Sequence, residues 1–168
     1  MRKIILNLAI TLDGFIAGPD GEYDWCLTDN DYGLTEFLGS IDSLLMGRKS
    51  FDIVAAYGAP YPGKMNYVFS RTISQTKYEN VTLLNEDVPT FASALKRKPG
   101  KNIWLFGGTE IFQPLYEHDL IDEMHLAIHP IMLGDGIPLY RKGPKRNWSL
   151  VKSLDYPSGL VQVIYKKL

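Results

Sequence analysis

Cysteine is almost absent from this chain. The single thiol, Cys26, excludes a disulfide framework within it. Positive charge is not in surplus either: 18 Lys and Arg stand against 19 Asp and Glu, for a net charge of −1. Nucleic acid is therefore not expected as the main partner, because such binders carry a basic excess. Local basic clusters remain free to take a small anion. No apolar run approaches the length of a membrane span. The opening MRKIILNLAITLDG has two basic residues and an apolar stretch, but that stretch is short, contains Asn7 and soon meets Asp13. It reads as a first β-strand, not as an export signal. Linkers, repeats and low-complexity tracts are missing, so one domain over residues 1–168 and a cytoplasmic location are expected.

What is present suits a soluble globular domain. The chain has 168 residues, 45% hydrophobic and 22% charged, enough for one substantial core. Ile4 to Ile10 is strand-like. Gly18 to Trp25 is a loop punctuated by Pro19 and Gly21. Leu34, Phe37 and Leu38 follow at helical spacing. SLLMG, MNYVFS, VTLL and NIWLF read as strands. RKSFDIVAAY, PTFASALKRK and GTEIFQPLYEHD read as helices, with Pro89 in an opening turn and Pro114 expected to shorten or kink the last of them. Met124, Leu126 and Ile128 alternate as in a strand. WSLVKSLDY and LVQVIYKKL form a hairpin about Pro157, Ser158 and Gly159. The pattern is α/β: a mostly parallel sheet, helices on both faces, and antiparallel strands at the C-terminal end.

Ligands of such sheets bind beyond the carboxyl ends of the strands, where a strand hands over to a helix. Two junctions share one design. LLMGRKSF runs strand, Gly47, then helix, with Arg48, Lys49 and Ser50 in its first turn. IWLFGGTEIF runs strand, Gly107-Gly108, then helix, with Thr109 in its first turn. Helix N-termini present unpaired N–H groups and partial positive charge, so they attract phosphate. Basic residues in a first turn oppose the macrodipole, so GRKS makes better sense with an anion there. The plainer alternative is a turn glycine with Ser50 or Thr109 capping the helix. A third junction, YVFSRT, ends a strand on Ser70, Arg71 and Thr72, groups suited to a phosphate monoester. Neither a dinucleotide fingerprint nor a P-loop is present.

TLDGFIAG, LLMGRKSF, YVFSRT and IWLFGGTEIF, in this order and at these spacings, resemble the dihydrofolate reductase fold. DEMHLAIHPIMLGDGIPLY more specifically resembles the reductase domain of bacterial riboflavin biosynthesis and its stand-alone relatives. The resemblance spans nearly the whole chain and implies NADPH as cofactor. It assigns Arg48, Lys49, Ser50, Ser70 and Arg71 to the phosphates, with Gly47 and Thr72 in the same turns. It places Gly107 and Gly108 under the cofactor, with a cis peptide between them, and brings Thr109, Glu110 and Ile111 along in the following turn. On the same alignment Ala9 and Ile16 flank the nicotinamide, and Phe106 and Phe112 line the floor between cofactor and substrate. Trp25, Phe51 and Phe112 are the expected substrate contacts.

The catalytic acid is less determined. Dihydrofolate reductases use a buried carboxylate on the first helix, and Asp31 falls at that place when counted back from Gly47. On a helix it would share a face with Leu34 and Leu38, and burial would raise its pKa. TDND also reads as a capping box, with Thr28 as N-cap and Asp31 at N3, and this reading is slightly preferred. Asp13, in TLDG, is the second candidate acid; its alternative is to bond local backbone after the first strand. His125 and His129 have the spacing of a helical zinc pair, but on a strand they stand about 13 Å apart, so no metal site is expected. The deaminase signature of bifunctional riboflavin enzymes is missing. The reaction implied is hydride transfer to a pterin-like or ribosylamino-pyrimidine-like small molecule. A weak dihydrofolate reductase and a non-catalytic NADPH-binding module are the competing readings. Relatives of the riboflavin type commonly pair, so a homodimer is expected.

Overall fold

Eight strands form one sheet, and their order explains where the helices go. The computed structural model describes residues 1–168. In chain order the elements are β1 (Ile4–Thr11), β2 (Phe15–Ala17), α1 (Leu34–Ser40), β3 (Ile41–Gly47), α2 (Arg48–Ala56), β4 (Met65–Phe69), β5 (Val81–Leu84), α3 (Val88–Arg97), β6 (Asn102–Gly107), α4 (Thr109–Glu117), β7 (Glu123–His129), β8 (Ile137–Pro138), β9 (Trp148–Asp155) and β10 (Val161–Lys167). The sheet order is β5-β4-β3-β6-β1-β7-β10-β9. The first six of these run parallel; β10 is antiparallel to both β7 and β9. This is the mostly parallel α/β architecture expected, with its C-terminal hairpin.

Side-chain alternation divides the core in two. Ile4 and Leu6 of β1, Leu45 of β3, and Ile103 and Leu105 of β6 point to one face. There they meet Ala92 and Leu95 of α3 and Ile111, Phe112 and Leu115 of α4. Ile5, Leu44, Met46, Val68 and Trp104 point to the other face, under Phe37 of α1 and Phe51 of α2. Each fully buried Leu or Ile in these layers contributes roughly 1.5–3 kcal/mol through removal of apolar surface from water.

Two local expectations are corrected, and one feature is added. The first helix begins at Leu34, six residues after Thr28, with Gly33 as its N-cap in the left-handed region (φ 76°). Gly33 reaches that conformation at little steric cost, so the helix starts there and TDND forms no capping box. α4 runs through Pro114 to Glu117 without a break. A second sheet, β2 with β8, joins the turn after β1 to the segment after β7. Strands of three and two residues carry too little alternation to show in sequence.

Candidate functional site

The three phosphate-type junctions lie side by side. Gly47 ends β3 opposite Phe69 at the end of β4, and Met46 pairs with Gly107 at the end of β6. Three adjacent parallel strands therefore release their chains toward the same edge, where α2, the Ser70 turn and α4 begin. The Ser50 hydroxyl donates to the Gly107 carbonyl at 3.5 Å, so the α2 and α4 junctions touch.

The glycine pair is explained by backbone conformation. Gly107 has φ 128° and Gly108 φ 88°, both in the region that side chains rarely adopt. A Cβ on Gly108 would also stand 3.5 Å from Ser50 Oγ. The peptide between them is trans, as is every other peptide bond, which corrects the cis expectation. Gly47 is extended, and a Cβ there would make van der Waals contact with Ile111 Cγ1 at 3.4 Å.

Neither helix at these junctions has a side-chain cap. α2 starts from Gly47 and α4 from Gly108 with no hydroxyl or carboxylate on their first N–H groups. Ser50 and Thr109 are thus not caps. By contrast, α3 is closed by Asp87, which accepts from Thr90 N at 2.9 Å. The positive ends of α2 and α4 are left for another acceptor.

The cations around them differ. Arg48 pairs with Asp52 one helical turn on, whereas Lys49 and Arg71 are exposed and make no ion pair. Ser70 Oγ accepts from Thr72 N and Ile73 N, both at 3.1 Å, and so shapes the turn that presents Arg71. Glu110 points away, paired with Arg141 at 3.0 Å. Thr109 and Ile111 are buried; the Thr109 hydroxyl donates to Pro138 O at 2.7 Å and ties α4 to β8. Only the backbone of residues 109–111 is available to a ligand at this edge.

The candidate cleft is the aromatic cluster beside the junctions, on the α1/α2 face. Register pairs Asn7 with His125, Ala9 with Ala127 and Thr11 with His129, so these share that face with Ile5. Phe106 packs against Trp104 at 4.9 Å and Tyr61 at 5.7 Å, and Trp104 meets Phe37 edge-on at 5.3 Å. Tyr61 has φ 29°, and burial pushes its phenol up to about 12. His125 sits at 5.6 Å from Phe37, with Nε2 3.2 Å from Glu123, which Lys3 holds at 2.7 Å. Burial lowers the His125 pKa below its usual value against the pull of Glu123. Phe112 does not reach this cleft. It is 1% exposed on the opposite face, stacked on Tyr116 at 5.6 Å, so its place in the floor and as a substrate contact is corrected. Ile16 likewise packs toward the α4-side core, and Phe51 is buried beneath the cleft beside Tyr78.

A loop, residues 18–30, bridges the cleft. At one end the Tyr23 and Tyr57 hydroxyls meet at 3.0 Å, at the C-terminus of α2. At the other end Trp25 stands edge-on to His129 at 5.2 Å, and Leu27 N donates to His129 Nδ1 at 3.3 Å. Tyr57 follows α2 and His129 ends β7, so the loop links these two elements. Tyr23, Tyr57 and Tyr61 are contributions that sequence patterning alone did not single out, and His129 was weighed there only as a metal ligand.

Neither candidate acid is fully buried. Asp31 precedes α1, is exposed, and accepts from Thr35 N at 3.1 Å and Thr35 Oγ1 at 2.8 Å. It does stabilise the helix start, from outside the helix, and shares no buried face with Leu34 or Leu38. Asp13 accepts from Thr11 Oγ1 at 2.5 Å, Gly134 N at 2.8 Å and Leu133 N at 3.3 Å. The Thr11 hydroxyl, chiefly, holds its carboxyl below the usual carboxylate range. Its bonds reach a segment 120 residues away, beyond the local turn expected. Cys26 is half-buried, and burial pushes its thiol up to about 11, the opposite of an activated nucleophile.

The mostly parallel mixed sheet, its flanking helices and the antiparallel C-terminal hairpin form a dihydrofolate-reductase-like α/β fold. Within that class the chain belongs to the RibD C-terminal domain family, whose model matches residues 2–162. The uncharacterized protein YyaP of Bacillus subtilis (strain 168) is 41% identical, over 98% of this chain and 94% of that one. A putative dihydrofolate reductase of Caenorhabditis elegans is 26% identical over 76% of this chain and 71% of its own length. A putative riboflavin biosynthesis protein from Shewanella sp. PV-4 superposes with a TM-score of 0.87, at 29% identity and 99% coverage of both chains. These relatives support a reductase-type function. No helix is long and apolar enough to cross a membrane.

Proposed function

We propose that this protein is an NADPH-dependent reductase acting on a flat pterin-like or ribosylamino-pyrimidine-like small molecule. The carrying observation is the pair of uncapped helix N-termini, on α2 and α4, joined through Ser50 and Gly107 and flanked by the free cations Lys49 and Arg71. This donor set fits a dinucleotide phosphate: oriented N–H groups, unpaired positive charge, and a glycine pair that keeps side chains off the approach. When bound, the nicotinamide supplies the hydride.

The chain's own residues bind, orient and exclude water. Backbone N–H groups of α2 and α4 would hold the pyrophosphate, and Arg71 with Lys49 the extra phosphate that distinguishes NADPH from NADH. Phe106 and Tyr61, both packed on the buried Trp104, offer aromatic faces to a flat ring. Asn7 offers an amide whose side chain makes no bond within the chain. The 18–30 loop covers the cleft and lowers its water content. A cytoplasmic location suits this cofactor, and a second copy of the chain is the protein partner we propose.

The experiment is NADPH oxidation, followed by loss of reduced-nicotinamide absorbance, with dihydrofolate and with the phosphoribosylamino-pyrimidine of riboflavin synthesis. Turnover of either, faster than with NADH, supports this reading. NADPH binding without turnover favours the non-catalytic module, whose motivation is the exposed position of Asp31.

A further inference from the structure

Of the three histidines, His129 alone has a ring nitrogen that accepts a backbone N–H from a distant segment. Its side chain lies within a residue only 2% exposed. Nδ1 accepts from Leu27 N, 102 positions earlier in the chain, so the ring is neutral and its proton sits on Nε2. Trp25, two residues before Leu27, rests edge-on against the same ring. The loop is otherwise hydrogen-bonded through the exposed Tyr23–Tyr57 contact and through Asp29, which accepts from the Tyr32 hydroxyl.

We propose that His129 is the positioning residue of the 18–30 loop: its neutral imidazole takes the Leu27 N–H and seats Trp25 beside the cleft, and a proton on that ring releases the loop. A protonated Nδ1 becomes a donor facing a donor, and the Leu27 bond is lost. No carboxylate makes an ion pair with the His129 ring in this structure. On the loop the titratable neighbours are Asp24 and Cys26. On β1, Thr11 pairs with His129 in register, and Asp13 beyond it is already engaged by Thr11, Leu133 and Gly134. On β7, His125 four residues back is engaged by Glu123. In the β9–β10 hairpin, Tyr156 packs on Tyr32. Burial, with no charged contributor, lowers the His129 pKa, in keeping with a neutral ring. The consequence for substrate handling rests on the reductase reading; the tether itself does not.

The test uses the whole ligand-free protein. Amide and indole NMR signals are followed from about pH 8 to about pH 5, together with hydrogen exchange of the Leu27 amide. In the unaltered protein, the Leu27 amide, the Trp25 indole and the His129 ring should move together, with one midpoint below 6.5. His129→Asn keeps an acceptor in the place of Nδ1 without titrating, so Leu27 stays protected and flat with pH. His129→Phe removes the acceptor, and Leu27 should exchange roughly tenfold faster at every pH. Should that variant not fold, the unaltered protein and His129→Asn decide the matter. Equal Leu27 protection in His129→Phe, a Leu27 signal flat down to the lowest pH, or wild-type titration in His129→Asn would each overturn the proposal. No nucleotide enters the experiment, so failure of NADPH binding and failure of the tether are separate results.

Discussion

The Ser50 hydroxyl bonds to the Gly107 carbonyl and stitches the first turn of α2 to the last residue of β6. Two strand-to-helix junctions, 57 residues apart in sequence, thereby become one surface. Gly108 lies against that contact with φ 88° and ψ 123°. Gly108→Ala should therefore act twice. Backbone strain of about 1–3 kcal/mol should appear in a denaturant melt, and the new methyl should obstruct the nucleotide. NADPH affinity is expected to fall by more than the loss of stability explains.

Lys49 and Arg71 are exposed and unpaired, so removing either should leave stability within about 0.5 kcal/mol. Their expected effect is on binding. Arg71→Ala and Lys49→Ala should each weaken NADPH roughly tenfold or more, as for a lost charge-assisted hydrogen bond, while NADH changes less. Titration of both nucleotides against each variant checks this. Asp52→Ala frees Arg48 from its pair and should strengthen NADPH binding.

Asp31 should prove structural. Asp31→Ala removes the acceptor for Thr35 N and should cost about 1 kcal/mol of stability, with little change in turnover. Asp31→Asn keeps an acceptor and should be nearly silent in both. Loss of turnover in Asp31→Asn with stability intact would return Asp31 to the mechanism as an acid.

Asp13 predicts a pH effect of definite sign. Its folded pKa is lowered from 3.8, first by the Thr11 hydroxyl and then by the Gly134 and Leu133 N–H groups. The stability it contributes is complete above 3.8 and is lost as pH falls through the folded value. Asp13→Asn should flatten the acid limb of a thermal-melting profile and loosen residues 131–134, read as faster amide exchange at Leu133 and Gly134.

The junctions were legible because their signals are local. An apolar run of strand length, a glycine and a helix-forming turn follow one another in LLMGRKSF and in IWLFGGTEIF, and both become what they resemble. Phe112 was not legible. Its distance from the glycine pair is fixed by sequence, but the side of α4 it occupies depends on how α4 rolls onto β6, and that is set by Leu115 and Tyr116 packing with it. Asp31 is placed differently for a related reason: the N-cap is the left-handed Gly33, five residues past Thr28, so the carboxylate lies outside the helix and in solvent. His129 and Tyr23 lie far from their partners Leu27 and Tyr57 in sequence or in element, and only the closed loop brings them together. β2 and β8 are too short for any period to register.

The measurement that bears most directly on function is a titration of the purified protein with NADPH, and with NADH alongside, read by tryptophan fluorescence. Trp104 packs on Phe106 in the cleft and lies three residues before Gly107. NADPH should bind tightly and quench that emission, and NADH should bind more weakly because Lys49 and Arg71 then have no extra phosphate to hold. Absence of binding by either nucleotide would contradict the reductase assignment and leave the fold without its family's chemistry.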